Sequence, residues 1–280
     1  MSDIITVDKS TLLTAQNFRF NIVPQNFPLF YPFVANSYNL KIEYAHQADS
    51  FFIMFYSHKN FPTPKPSGSL YSMENLYVKP DSTWKIPNNP KQYYRFDQMG
   101  IYKVTVDTSK PGGANLLRYY DNYPKIDALE ALLQPLDYVA SPNEMEKIVG
   151  ETNLKLAIDN FWLSKTESMD RARELIRVYY NRVYLANYYF TDIAEGWKTD
   201  RGMVYVLFGP PNKVTRDLVS ETWAYTKKES DNEAVFTFIR ETGPLDTEVF
   251  VLNKNESDNY SFKRAVDNWR RGDVFYYGNL

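Results

Sequence analysis

The spacing of apolar residues changes near residue 124, and that change constrains the fold more than any other feature. Before it, "FRFNIV" (18–23), "YNLKIEY" (38–44) and "GIYKVTVDT" (100–108) alternate apolar with polar, the period of a strand with one face in solvent. "SFFIMFYS" (50–57) is apolar throughout, as in a strand covered on both faces. "NLLRYYD" (115–121) follows a Pro-Gly-Gly turn. Short strands separated by Pro, Gly and Asn, with no helical period, imply an immunoglobulin-like β-sandwich over residues 1–124.

From residue 125 onward the period becomes helical. "SPNEMEKIVG" (141–150) has Ser141 to cap, Pro142 for the first position, Glu144 to complete a capping box and Gly150 to terminate. Residues 152–165 repeat apolar residues at helical spacing. A longer helix over 169–190 puts Ala172, Leu175, Ile176, Tyr179, Val183, Ala186 and Phe190 on one stripe. Arg171, Arg173, Arg177 and Arg182 fall on the other face, which reads as a solvated surface before it reads as a phosphate site. Strands are expected at 203–208, 222–227, 234–240 and 247–252. "KKESDNEA" and "ETGPLD" make the turns, and a helix over 260–272 closes the pattern with Phe262, Val266 and Trp269 near one face. Helices, an antiparallel sheet and a final helix make an α+β domain over 125–280.

Between the long helix and the first of these strands lies "EGWKTDRGMVYVLFGPPNKV" (195–214). Gly196 and Gly202 permit backbone conformations closed to other residues. Thr199 and Asp200 can bond nearby backbone donors, Asp200 as a cap of the turn. Trp197 is placed to fill a gap between helix and strand. Gly209, Pro210 and Pro211 end the strand, because neither proline can donate to a ladder. Every unusual residue has a structural role available.

"GWKTD" (196–200), "RGMVYVLFGPPNKV" (201–214) and "ETWAY" (221–225) resemble the GWxTD domain family. "PLDYVASPNEMEKI" (135–148), "FW" (161–162), "YYNRVYLANYYF" (179–190) and "AVDNWRRGDVF" (265–275) fit the same likeness, which spans about 135–275. A looser likeness, over the strands after residue 203, is to the small lipoprotein of the outer-membrane β-barrel assembly machinery. The family resemblance implies a protein of Bacteroidetes and related bacteria, often behind a secretion or lipoprotein leader and a β-rich region. It implies contact through Trp197, Thr199, Asp200 and Arg201, but no activity.

The residue inventory narrows the chemistry. Cysteine is absent and only His46 and His58 occur, so thiolate catalysis and zinc–thiolate sites are excluded and a histidine metal site lacks ligands. Neither a metal nor another cofactor is expected. With 32 basic and 34 acidic residues there is no net field for nucleic acid. No apolar run approaches the ~18 residues of a membrane span. "MSDIITVDKS" lacks the basic and apolar regions of a signal peptide, so the chain is either cytoplasmic or a mature one from which a leader was removed, and on the second reading a lipid anchor would lie outside it. Pro210 and Pro211 have no amide hydrogen with which to cradle phosphate. A carboxylate pair, for example Asp200 with Glu195 or Glu221, is open in principle to glycoside chemistry, although nothing in the spacing indicates the separation it needs. "SHKNFPTPKPSGS" (57–69), with Pro62, Pro64 and Pro66, reads as a long extended loop. The expectation is a non-enzymatic cell-envelope protein that binds other envelope proteins as a subunit or adaptor of outer-membrane or secretion machinery. The competing class is a carbohydrate-binding or carbohydrate-active envelope protein, suggested by 23 Tyr and 18 Phe.

Overall fold

The computed structural model describes residues 14–35, 38–57, 64–66, 79–227 and 230–275. Most of the expected loop over 57–69, and His58 with it, lies outside these. Two compact units are present. The first comprises Met1–Phe61, Met73–Tyr123 and Thr242–Thr247; the second comprises Pro62–Ser72, Pro124–Glu241 and Glu248–Leu280. Three sheets and six α-helices among the described residues make the protein mixed α+β.

The first unit carries strands β1 (Phe18–Val23), β2 (Phe27–Pro28), β3 (Phe33–Val34), β4 (Asn39–Tyr44), β5 (Ser50–Tyr56), β6 (Ser82–Pro87), β7 (Tyr94–Arg95), β8 (Gly100–Thr105) and β9 (Ala114–Arg118). They form one sheet in the order β2-β1-β4-β7 and another in the order β3-β9-β8-β5-β6. All pairs are antiparallel except β3 with β9. Phe20, Leu40 and Ile42 of the first sheet share one apolar cluster with Phe51, Phe55, Val104 and Leu116 of the second. Burial of each such side chain contributes about 1.5–3 kcal/mol, and this cluster holds the two sheets together.

Two strands exchange the roles their sequences suggest. β5 reads as covered on both faces, yet only the face carrying Phe51, Ile53 and Phe55 is buried, and Phe52 and Met54 on the other face stay partly exposed. β8 reads as half-exposed, yet all six residues are buried. It lies between β9 and β5, and Thr242–Thr247 belongs to the same unit. Lys103 of β8 pairs with Asp246, whose carboxylate also accepts from Gly112 N at 2.8 Å. Polar side chains with an internal partner can be buried as completely as apolar ones, and an alternating pattern does not reveal it.

In the second unit, α1 (Leu129–Leu133), α2 (Pro142–Gly150), α3 (Leu154–Leu163) and α4 (Met169–Phe190) come first. The capping box of α2 forms as expected: Ser141 Oγ accepts from Glu144 N at 3.3 Å and Glu144 Oε2 accepts from Ser141 N at 2.8 Å. Glu144 also pairs with Lys165 and Arg270. Burial works against its charge, but these two cations and the Ser141 amide hold the carboxyl below the usual range. Gly150 does not lie beyond the helix as a terminator; it is the last helical residue, and a Cβ there would meet nothing within 4 Å. Gly150→Ala is therefore expected to stabilise the unit by up to about 0.5–1 kcal/mol, through lost freedom of the unfolded chain. A rise in the denaturant midpoint at unchanged slope would show it.

α4 has the expected bounds and stripe, but one of its arginines is on the wrong side of the expectation. Arg171, Arg173 and Arg177 face solvent, whereas Arg182 is only 3% exposed. It follows Tyr179 by three positions and precedes Ala186 by four, which puts it on the apolar stripe itself.

The largest correction concerns residues 203–208. They are not a strand: α5 runs Asp200–Phe208. Every residue from Gly202 to Phe208 is buried, so this helix has no polar face and therefore no amphipathic period. A short apolar run of this kind reads the same in a buried strand and a buried helix. The deciding signal is the cap, because Thr199 Oγ1 accepts from Gly202 N at 3.0 Å. Gly209, at φ +82°, and the prolines after it end this helix, not a strand. Strands β10 (Lys213–Arg216), β11 (Ser220–Lys227), β12 (Ser230–Thr242) and β13 (Glu248–Leu252) then form an antiparallel sheet in that order. β10 was not anticipated, and β12 takes up residues assigned above to a turn. α6 (Glu256–Arg270) closes the unit.

Candidate functional site

The residues from 187 to 209 join α4 to α5, and their polar groups are used inside the unit. Asn187, fully buried, accepts from Trp197 N through Oδ1 at 3.1 Å. Trp197 O accepts from Tyr138 Oη at 2.6 Å, and the two rings meet edge to face at 5.5 Å. The Trp197 ring is 2% exposed, with Lys198 Nζ 5.2 Å from its centroid and Lys198 paired to Glu195 at 2.5 Å. Thr199 Oγ1 donates to Gly196 O at 2.8 Å while it caps α5.

The two glycines of the motif serve close approach, not special dihedrals. Neither has positive φ among the glycines that do. A Cβ on Gly196 would stand 2.0 Å from Ala186 O, and one on Gly202 would stand 1.8 Å from Gly196 O. Without side chains, the turn can lie against the last part of α4 and α5 can start against the turn.

Asp200 does not cap its own turn. Its Oδ2 accepts from Leu252 N at 2.7 Å, tying the start of α5 to the end of β13. Burial raises its pKa to about 6, against the Leu252 amide and Lys254, with Glu241 adding to the rise. Asp192, which accepts from Ala194 N at 3.0 Å, is pushed to about 7, again chiefly by burial. Arg201 lies over Phe250, 4.0 Å from its ring centroid, with Phe190 at 5.4 Å and Glu221 Oε2 at 3.7 Å. Burial lowers its pKa, and Glu221 and Asp192 oppose that. Glu221, 2% exposed, accepts from Trp223 Nε1 and from Arg216 Nε, each at 2.6 Å.

The far end of α5 is closed by residues that sequence reading left out of the site. Arg182 donates to Val206 O at 3.3 Å, Leu207 O at 3.1 Å and Phe275 O at 2.8 Å. Trp269 Nε1 donates to Leu207 O at 3.0 Å and Tyr225 Oη to Gly209 O at 2.9 Å. These satisfy carbonyls that the helix itself cannot, and a cation at a helix C-terminus is favourable. The positions of Arg182 and Asn187 on the apolar stripe were the available signal.

Chemically, this is a set of occupied groups. The carboxylates proposed for glycoside chemistry each have an internal partner: Leu252 N for Asp200, Lys198 for Glu195, and Trp223 with Arg216 for Glu221. Among the described residues no group of three or more His, Asp or Glu could hold a metal ion, and His46 has its ring 5.4 Å from Tyr44 in the first unit.

The raised pKa of Asp200 gives a prediction with a definite sign. Its neutral form is favoured in the fold, so its contribution is most favourable below the unfolded carboxyl range and is lost as pH rises through about 6. Asp200→Asn keeps an acceptor for Leu252 N and removes the charge. Its melting temperature should match wild type near pH 4 and exceed it at pH 8. Asp200→Ala leaves the Leu252 amide without an acceptor and should lose about 1–3 kcal/mol near pH 4, and less at pH 8, where the wild type itself bears the buried charge. Thermal melts of the three proteins at the two pH values separate these outcomes.

Fold and site together define a mixed α+β protein whose most distinctive sequence is a buried helix-to-helix joint. The GWxTD domain model matches residues 100–271, and the chain belongs to the GWxTD domain family. The matched span begins at Gly100, so it includes β8 and β9 of the first unit. Neither the curated proteins nor the solved structures contain a match to the chain.

Proposed function

We propose that this is a non-enzymatic cell-envelope protein acting as a protein-binding subunit or adaptor of outer-membrane or secretion machinery. The observation that carries the reading is the occupation of the joint: Trp197, Thr199, Asp200 and Arg201 spend their polar groups and rings on neighbours inside the unit. A reaction centre needs groups free to meet a substrate, whereas an adaptor needs a rigid frame with its contacts on the surface. The first unit is, on this reading, an immunoglobulin-like sandwich, supported by the core its two sheets share.

The carbohydrate reading has one observation in its favour. A groove of about 280 Å³ between α2 and α3 is lined by Phe161, Asn153, Asn160, Glu144 and Glu151, among others. Against it, Glu144 is committed to Lys165 and Arg270.

Affinity purification from the native organism after cross-linking tests the first reading. Recovery of defined envelope proteins supports it, and recovery of cytosolic proteins alone would overturn it. Titration of soluble glycans against the wild type and Asn160→Ala tests the second, since a glycan seated in the groove would lose affinity in the variant.

A further inference from the structure

The outer face of β8 and β9 carries donors that converge on one carboxylate. Tyr102, Val104, Ala114 and Leu116 lie in the core that the two sheets share. Lys103 and Asn115, between them in the alternation, point away from it. The register sets these two directly opposite one another. Buried Lys103 pairs through Nζ with Asp246, and Gly112 N, from the turn between the strands, donates to the same carboxyl oxygen at 2.8 Å. Asn115 Nδ2 donates to Leu245 O at 3.0 Å. A side-chain carboxylate and the carbonyl of the residue before it are thus held together. Burial works against the charge of Asp246, but the Gly112 amide and Lys103 keep its carboxyl below the usual range.

The segment that fills this site, Thr242–Thr247 of the same unit, fits it imperfectly in two respects. Leu245 and Asp246 are consecutive non-glycine residues in the left-handed region, at φ +60° and +58°. Each is held there against a conformational cost that a relaxed peptide would not bear. In addition, Asn115 Oδ1 is buried and has no hydrogen-bond partner among the described residues. A buried amide oxygen without a donor is unfavourable, and the resident segment supplies none. A peptide offering the same carbonyl and carboxylate from a relaxed backbone, with one N–H for Asn115 Oδ1, would satisfy every group that the segment does and one more.

We propose that the outer face of β8 and β9 is a binding site for an aspartate-containing peptide segment of a partner protein, read through the aspartate carboxylate and the carbonyl before it, and that residues 242–247 are an internal ligand which the partner displaces. This adds a site in the first unit and does not rest on the adaptor reading, which is argued from the joint in the second.

The test is titration of the full chain with a fluorescent peptide, acetyl-Gly-Pro-Leu-Asp-Thr-Glu-amide, read by anisotropy. In the wild type the tethered segment competes, so binding should be weak. Asp246→Ala removes the competing carboxylate and should tighten binding by about tenfold or more. Adding Lys103→Met to that variant, or replacing the peptide's Asp by Asn, should remove the gain. Leu245→Gly relieves one left-handed residue without touching the donors, so it should favour the resident segment and weaken binding. A segment with a merely structural role would leave binding unchanged. Should Asp246→Ala fail to fold, the Gly112 amide resonance under excess peptide replaces it, shifting in the wild type and less in Leu245→Gly. Binding no tighter in Asp246→Ala, binding indifferent to Lys103→Met or to the Asn peptide, or a Gly112 resonance unmoved by millimolar peptide would each overturn the proposal. So would wild-type dimers abolished by Lys103→Met, which would mean that copies of the chain exchange this segment with one another.

Discussion

Trp197→Ala is expected to lower the stability of the second unit by about 3–5 kcal/mol, the range for deleting a buried aromatic ring. The backbone bonds of this residue, to Asn187 Oδ1 and Tyr138 Oη, survive the substitution. What is lost is the ring, 2% exposed and packed edge-on against Tyr138. Against the ~5–15 kcal/mol that a whole domain retains, this is a large fraction. Hydrogen exchange is the suitable readout. Amides of α4 and α5 should lose protection, while those of β4 and β8 in the first unit keep theirs. Unchanged protection in α4 and α5, together with loss of a binding partner, would mean that the ring is a contact surface and not a support.

Gly202→Ala should be comparably severe for a different reason. The added methyl would lie 1.8 Å from Gly196 O, 2.7 Å from its carbonyl carbon and 2.9 Å from Trp197 Cα. All three are backbone atoms, so no side chain can swing aside, and α5 would have to move from its place in the core. Overpacking commonly costs about 1–3 kcal/mol and exceeds that when backbone must shift. Helix propensity alone predicts a gain for the same change. The comparison with Gly150→Ala, a helical glycine with open space around it, isolates the clash: one denaturant midpoint should rise and the other fall. If both rise, the close approach of turn and helix is wrong.

The sequence was most informative where a local interaction decides the structure. The capping box at Ser141 and Glu144, the bounds of α4 and the turn after Lys110 follow from neighbours a few positions apart. It was least informative where tertiary contacts decide. α5 lacks a polar face because it is surrounded, so its apolar run took the appearance of a strand. Arg182 was assigned to solvent by its charge, although its spacing put it on the stripe, because its carbonyl partners at 206, 207 and 275 are distant in sequence. Gly196 and Gly202 were read as conformational devices, when the demand on them is steric and comes from Ala186 and from each other's surroundings. The family motif was legible as letters; that its Asp reaches β13 was not.

The closure of α5 by Arg182 also bears on the order in which this chain can mature. One guanidinium holds carbonyls of Val206 and Leu207 together with that of Phe275, and the core around Trp162 and Tyr179 includes Phe262, Trp269 and Phe275. A chain growing from the ribosome has α4 and α5 available long before these last aromatics emerge. Until they do, α5 has an apolar surface without its final cover and C-terminal carbonyls without their donors. The second unit therefore reaches its native core only after Phe275 has emerged, and until then its nascent form stays open to chaperones.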